Sequence, residues 1–403
     1  MSNGKRAYKP QLVLLGTCWA LHGISNLLLV SVIVLSGHLI ADNKAFAALP
    51  VALQWSGNAI MAAPASFYMR RFGRRVGFWT AGLIIGTGAA LAILALYQSQ
   101  FIWLCVGGFL IGTGNAFNWY YRFAAAEVVP DHYKSRAISF VLAGGVVAAL
   151  IGPSLADFSK DLLAPINFAG AFAAMIVANA ISATILLFIR IPQPQAEELH
   201  GGRPIGQIAR QPAFIVAVVG GAAAYGVMVL MMSVTPLAMM LHKLTFSDAT
   251  FVIQWHVLGM YVPSFFTGHL IRRLGTLNIM LLGTVLIVVC IVVGYDGTSL
   301  THFWIALATL GVGWNFLFIG ATTLLTETYT VSERAKTQAF NEAVIFTTVG
   351  VATFFSGTLL HEVGWRAVNL AALPAIVVVA SAILWLMLRG AGKPSSAGAE
   401  PRT

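Results

Sequence analysis

Asn115, Asn118, Trp119 and Arg122 stand at i, i+3, i+4 and i+7, a spacing that on an α-helix gathers side chains within an arc of roughly 100°. Two amides, an indole and a guanidinium on one face can hydrogen-bond, stack and receive an anion, because the donor fork of arginine matches a carboxylate. His22, Ser25 and Asn26 share a similar arc, and Trp314, Asn315, Phe318, Thr322 and Thr326 lie largely on one side of a later segment. Tyr225, Met228 and Met232 form a softer stripe of aromatic and thioether groups, suited to an apolar moiety. His22 and Glu342 are the groups placed to exchange a proton.

This is recognition chemistry rather than covalent chemistry. No paired carboxylates, HExxH or His-x-x-x-Asp grouping appears, and His22, His256 and His302 are scattered singly. "GTGNAF" at 112–117 lacks the third glycine of a dinucleotide fingerprint. Cys18, Cys105 and Cys290 fall in three different apolar segments, as small apolar residues rather than a disulfide or metal set. The sequence therefore predicts no enzyme, no cofactor and no metal.

The elements that carry these stripes are membrane helices. Of 403 residues 58% are hydrophobic and 9% charged, with a mean hydropathy of +0.81, which soluble domains cannot bury. About twelve apolar stretches near the 20-residue spanning length follow one another, and the alternating ten-residue segments of a barrel are absent. The first, 11–37, is too long for a signal-peptide core and is expected to stay in the mature protein. With both termini placed in the cytoplasm, Lys44, Lys160, Lys243 and Arg366 alone of the 24 basic residues fall outside. The net charge of +10 is thus topological, and nucleic acid is not an expected partner.

A repeat of about 200 residues underlies the chain. Gln54-Trp55 recurs as Gln254-Trp255, Asn115 as Asn315, Glu127 as Glu327, and "RRFG" at 70–73 as "RRLG" at 272–275. Residues 1–191 are expected to form one six-helix half and 213–390 the other, joined by a Pro/Gly-rich linker at 192–212 and followed by a tail at 391–403 expected to be disordered.

These features resemble the major facilitator superfamily, whose members are twelve-helix secondary transporters built of two such halves; the resemblance covers residues 10–390. The family's Gly-x-Leu-x-Asp-Arg-x-Gly-Arg-Arg loop is matched here by Arg71, Gly73, Arg74 and Arg75, with Arg70 standing where the family has Asp. The second copy keeps Gly268, Leu270, Arg273 and Gly275, again with an arginine, Arg272, in place of Asp. "AEVVPDHYKSRA" and "TETYTVSERA" are similar to the family's Glu-x-x-Pro-x-x-x-Arg region. The resemblance implies an inner gate in which Glu127 and Glu327 pair with Arg74, Arg75, Arg136, Arg273 and Arg334. Solvated interfacial charges are the alternative. Gly152-Pro153 in "LAGGVVAALIGPSLAD" is similar to an antiporter signature and leans toward export, although small residues also serve simple helix packing.

The resemblance also puts the substrate near the bilayer midplane, lined by the first, fourth, seventh and tenth helices. The substrate-binding set expected is then His22, Asn26, Asn115, Asn118, Trp119, Arg122, Tyr225, Trp314, Asn315 and Phe318. Each carries a second reading: amides that bond helix to helix, indoles that pack, a structural histidine, and an Arg122–Glu342 ion pair across the halves. The expected protein is an all-α, monomeric permease of the bacterial inner membrane. It moves a small organic solute, with an anionic group as one option, by alternating access coupled to protons. Uptake by symport or facilitated diffusion of an organic acid or vitamin-like compound is the runner-up, and a transporter-like sensor or a membrane-embedded enzyme the reading from another class.

Overall fold

The computed structural model describes residues 8–130, 137, 140–191, 202–330 and 333–390. Helices make up each half, and no strand occurs among the described residues. The spans, numbered in chain order, are the first (Lys9–Ile40), second (Leu49–Phe72), third (Arg74–Gln98), fourth (Phe101–Asn118 with Tyr121–Glu127), fifth (Gly144–Ser159) and sixth (Ala169–Leu186). After the linker come the seventh (Pro212–Met232 with Thr235–Leu241), eighth (Phe246–Tyr261 with Ser264–Leu274) and ninth (Thr276–Asp296). The tenth (Leu300–Thr326), eleventh (Arg334–Glu362) and twelfth (Trp365–Ala371 with Leu373–Leu388) complete the set.

By length and composition, 10 of these elements could cross a membrane. The other two have local reasons. The second span is diluted by Gln54, Ser56, Asn58, Ser66, Arg70 and Arg71, and the eighth is divided at Pro263, whose ring cannot continue a helix.

Several spans expected to be continuous are broken. Pro236 and Pro374 open the second pieces of the seventh and twelfth spans. In the fourth, the amide of Tyr120 bonds back only three residues, to Phe117 O at 3.1 Å. That tight turn separates Asn115 and Asn118 from Arg122, so the four-residue stripe is not the face of one straight helix.

The halves repeat each other in their packing. The third span packs on the fourth, the second on the fourth, the first on the fifth and sixth, and the third on the sixth. In the second half the ninth packs on the tenth, the eighth on the tenth, the seventh on the eleventh and twelfth, and the ninth on the twelfth, the same five pairs six spans later. A side chain at Gly112 would collide with the Gln54 carbonyl, and one at Gly311 with the His256 carbonyl, so fourth–second and tenth–eighth contacts are equally close. Gly73 has φ 90° and ψ 155°, and Gly275 has φ 89° and ψ 152°, a region only glycine enters at low cost. The halves meet where the second span lies on the eleventh and the fifth on the eighth.

Candidate transport site at the seam between the halves

Polar groups of the first and fourth spans form a chain. Asn115 Nδ2 donates to Asn26 Oδ1 at 3.1 Å, Asn26 Nδ2 lies 3.3 Å from His22 Nε2, and Asn118 Nδ2 lies 3.0 Å from His22 Nδ1. A neutral imidazole carries one N–H, so the two amides cannot both donate to it. Since the Asn26 oxygen is taken by Asn115, Asn26 donates to Nε2; Nδ1 then carries the proton, and the Asn118 amide turns its oxygen toward it. Asn115, Asn118 and His22 are all buried, as groups with these partners can be. Ser25 accepts from Asn179 at 3.0 Å, which ties the first span to the sixth.

Aromatic rings continue from this chain across the seam. Trp19 packs 5.4 Å from His22 and 6.0 Å from Trp119, and Trp119 lies 6.3 Å from Phe346 of the eleventh span. Phe346 stacks on Trp55 at 6.2 Å, and Trp55 meets Tyr225 edge-on at 6.4 Å. Tyr225 in turn meets Trp314 at 5.2 Å and Phe318 at 5.1 Å, with those two stacked at 4.9 Å. The indole N–H groups of Trp119 and Trp314 are buried with no hydrogen-bond partner among the described residues. Arg122, Glu342 and the Tyr225 hydroxyl lie within electrostatic reach of one another, which puts opposite charges from the two halves beside the aromatic path.

Asn315 does not join this group. Its Nδ2 donates to Met260 O and Ser264 Oγ, both at 2.6 Å, and its Oδ1 accepts from Thr267 at 2.6 Å. The side chain is wholly buried against the break in the eighth span. A helix broken at membrane depth leaves backbone groups that need a partner, and Asn315 is that partner for Met260. The expected substrate contact is here a helix cap.

At the arginine-rich end the two halves differ. Arg74 grips Glu127 with Nη2–Oε1 at 2.7 Å and Nε–Oε2 at 3.2 Å, and lies 5.2 Å from the Tyr120 ring. Glu327, its counterpart by repeat, is exposed and has no ion pair among the described residues. Arg71, Arg75, Arg272 and Arg273 are also exposed. Arg136 and the side chains of Arg70 and Arg334 lie outside the described residues. Glu333 takes the pairing role in the second half. It receives Arg203 Nε and Nη2, each at 2.8 Å, with the backbone N–H groups of Arg203 at 2.7 Å and Thr330 at 3.0 Å. The hydrogen-bonded Arg203 guanidinium, with those two N–H groups, holds the Glu333 carboxyl well below the usual carboxylate range. Arg203 and Gln211 both donate to Thr328 O, and Ile208 is buried, so the end of the linker is packed onto the second half.

Opposite this end the halves are bridged. Ser247 donates to Asp157 at 2.6 Å, Thr358 to Ala45 O at 3.3 Å, and Gln254 to Leu150 O at 3.1 Å. Lys160, itself bonded to Asp157, sits 4.8 Å from the Phe246 ring. Among the described residues no hydrogen bond or ion pair joins the halves at the arginine-rich end. Two six-helix bundles, bridged at one end around a polar and aromatic seam, are the architecture of a membrane transporter, which is not an enzyme.

The sequence profile of the Major Facilitator Superfamily matches residues 14–314 and 231–403, and the chain belongs to that family. It is 38% identical over 397 residues to the riboflavin transporter RfnT of Brucella anthropi, covering 98% of both chains. It is 29% identical over 358 residues to the uncharacterized MFS-type transporter YdeG of Bacillus subtilis, covering 83% of each. Among solved structures, a bacterial homolog of the human lysosomal transporter Spinster, inward-facing and occupied, superposes with TM-score 0.72 at 16% identity over 96% of this chain and 100% of that one. An auto-inhibited POT family peptide transporter gives TM-score 0.69 at 14% identity over 98% and 99%. These two likenesses speak to the fold.

Phe346, Glu333 and Arg203 were missing from the sequence-level site. Phe346 follows Glu342 by four residues, one turn on the same face, and that spacing was the available signal. Arg203 carried none, because a lone arginine in a polar linker looks like any solvated charge.

Proposed function

We propose that this protein carries riboflavin or a closely related flavin across the bacterial inner membrane by alternating access. The observation that carries the reading is the 38% identity with the riboflavin transporter RfnT over 98% of both chains. The seam suits such a cargo. A flat tricyclic ring can stack among Trp55, Trp119, Phe346, Tyr225, Trp314 and Phe318, its carbonyl edge can accept from the two unpartnered indole N–H groups, and its polyol chain matches Asn26, Asn115, Arg122 and Glu342. In this reading the anion-receiving role of Arg122 becomes hydrogen bonding to a neutral solute.

Uptake is the favoured direction, since a vitamin is acquired rather than expelled. Gly152-Pro153 gives export little support: Gly152 lies so close to Leu27 that it serves packing of the fifth span on the first. With both termini in the cytoplasm, as the arginine-rich loops favour, the bridged end faces outward and the conformation is inward-facing. The inner gate is Arg74–Glu127 in one half and the Glu333–Arg203 clasp in the other.

Proton coupling runs through His22. Adding a proton makes Nε2 a donor, so Asn26 must turn its oxygen to the ring and its amino group toward Asn115, which breaks the Asn115–Asn26 bond. Protonation would therefore loosen the fourth span from the first. Glu342, facing Arg122 across the seam, is the second proton site.

Expression in a bacterium unable to make riboflavin tests the cargo. Growth on micromolar riboflavin, with flavin flux in proteoliposomes, is the expected result. Full-length protein in the membrane with neither growth nor flux would overturn the proposal.

A further inference from the structure

A second groove lies away from the seam. It measures about 490 Å³ and lies between the ninth, tenth and twelfth spans, at the end of the second half where Asp296, Leu300 and Trp365 mark the helix termini. Its walls are Ile291, Val292, Tyr295, Ile305, Leu370 and Leu373, and Val292, Tyr295, Ile305 and Leu370 present exposed apolar surface beside it. From Ile291 to Asp296 the lining runs roughly 8 Å along a helix, from the helix end toward bilayer depth.

The rim carries charge of both signs. Asp296 is strongly exposed and lies 3.6 Å from His302 Nε2, whose Nδ1 is held by Ser299 Oγ at 2.7 Å. Arg366 donates from Nε to Tyr295 O at 3.1 Å and packs 5.3 Å from the Tyr295 ring. Its four terminal N–H donors make no hydrogen bond among the described residues. An apolar slot capped by a carboxylate and a guanidinium is complementary to a molecule with an alkyl chain, a phosphate and an ammonium group.

We propose that this groove binds a membrane phospholipid with a primary-amine headgroup. One acyl chain lies along Val292, Ile305 and Leu373, the phosphate accepts from Arg366, and the ammonium donates to Asp296. A quaternary ammonium has no N–H to give Asp296, and an anionic glycerol headgroup would meet its carboxylate unfavourably. The site is therefore selective rather than a generic lipid contact.

Native mass spectrometry of the purified full-length protein, titrated in turn with phosphatidylethanolamine, phosphatidylcholine and phosphatidylglycerol, tests this. Phosphatidylethanolamine is expected to bind at least fivefold more tightly than the other two. Ile305→Trp, which fills the slot, should abolish that preferred binding, and Asp296→Asn should reduce the preference for ethanolamine over choline to under twofold. Arg366→Gln should weaken all three lipids, with unchanged melting in lipid-free detergent showing that the variants fold. Equal binding of the three lipids by the unmodified chain, or undiminished ethanolamine-lipid binding by Ile305→Trp, would overturn the proposal.

Discussion

Asn115 and Asn315 hold equivalent places in the two halves, yet one reaches across to the first span and the other is spent inside its own neighbour. The difference extends to the whole lining. In the first half the first and fourth spans are linked by amides and an imidazole, bonds that a proton can rearrange. In the second half the seventh and tenth spans are locked by Tyr225, Trp314 and Phe318, which no proton affects. In the mechanism proposed above, the duplicated scaffold is divided between a switchable half and a stiff one, and the seam joins them.

Asn315→Ala gives the largest expected effect on stability. Met260 O and Thr267, both buried, and the exposed Ser264 lose their bonds to Asn315 at the eighth-span break, at a cost of about 2–3 kcal/mol, seen as a marked fall in melting temperature. Asn115→Ala removes one bond and should cost under ~1 kcal/mol while slowing flux severalfold. Equal destabilisation by the two would erase the contrast drawn above.

His22→Gln keeps a polar side chain of similar reach but cannot titrate. Flavin accumulation in vesicles should then no longer respond to an imposed proton gradient, while counterflow exchange persists. Gradient-driven accumulation that survives the substitution would move coupling to Glu342 and the stiff half.

Glu333→Gln weakens the clasp on Arg203, and limited proteolysis should cleave around residues 202–211 at least fivefold faster. Because the folded carboxyl lies below its usual range, its contribution is fully present above the unfolded value of about 4.3 and fades only as pH falls through the lower folded value. The difference in protease resistance between the two forms should accordingly stay level from pH 8 to 5. A difference that changes across that interval would place the folded Glu333 carboxyl above, not below, its usual range. The smallest effect is expected for Arg71→Gln and Arg272→Gln, both exposed, where flux should change less than twofold.

The fold was largely legible in the sequence, because membrane insertion writes itself as apolar length and the duplication as matched residues at constant offset. The breaks were less so. Pro236, Pro263 and Pro374 announce themselves, but the turn at Trp119–Tyr120 has no proline and could not be foreseen. Recognition of Asn315 as a cap required knowing that the eighth span breaks opposite it. Sequence symmetry pointed to Glu327 as the counterpart of Glu127, pairing with Arg273 and Arg334; Arg273 is exposed, the side chain of Arg334 lies outside the described residues, and the second-half carboxylate seen in an ion pair is Glu333, with a linker arginine. Phe346 escaped for a different reason: among 25 phenylalanines, its one distinguishing mark was its place a helical turn beyond Glu342.

The packing of Arg203, Ile208 and Gln211 has a consequence for how the polypeptide could be divided. Composition places the junction between the halves at Pro212, but the contacts assign everything from Arg203 onward to the second half. That leaves residues 192–201, which lie outside the described residues, between the two sets of contacts. A gene cut within that stretch, rather than at Pro212, would yield two fragments that each keep their own inner-end contacts and are suited to reassemble as a split transporter.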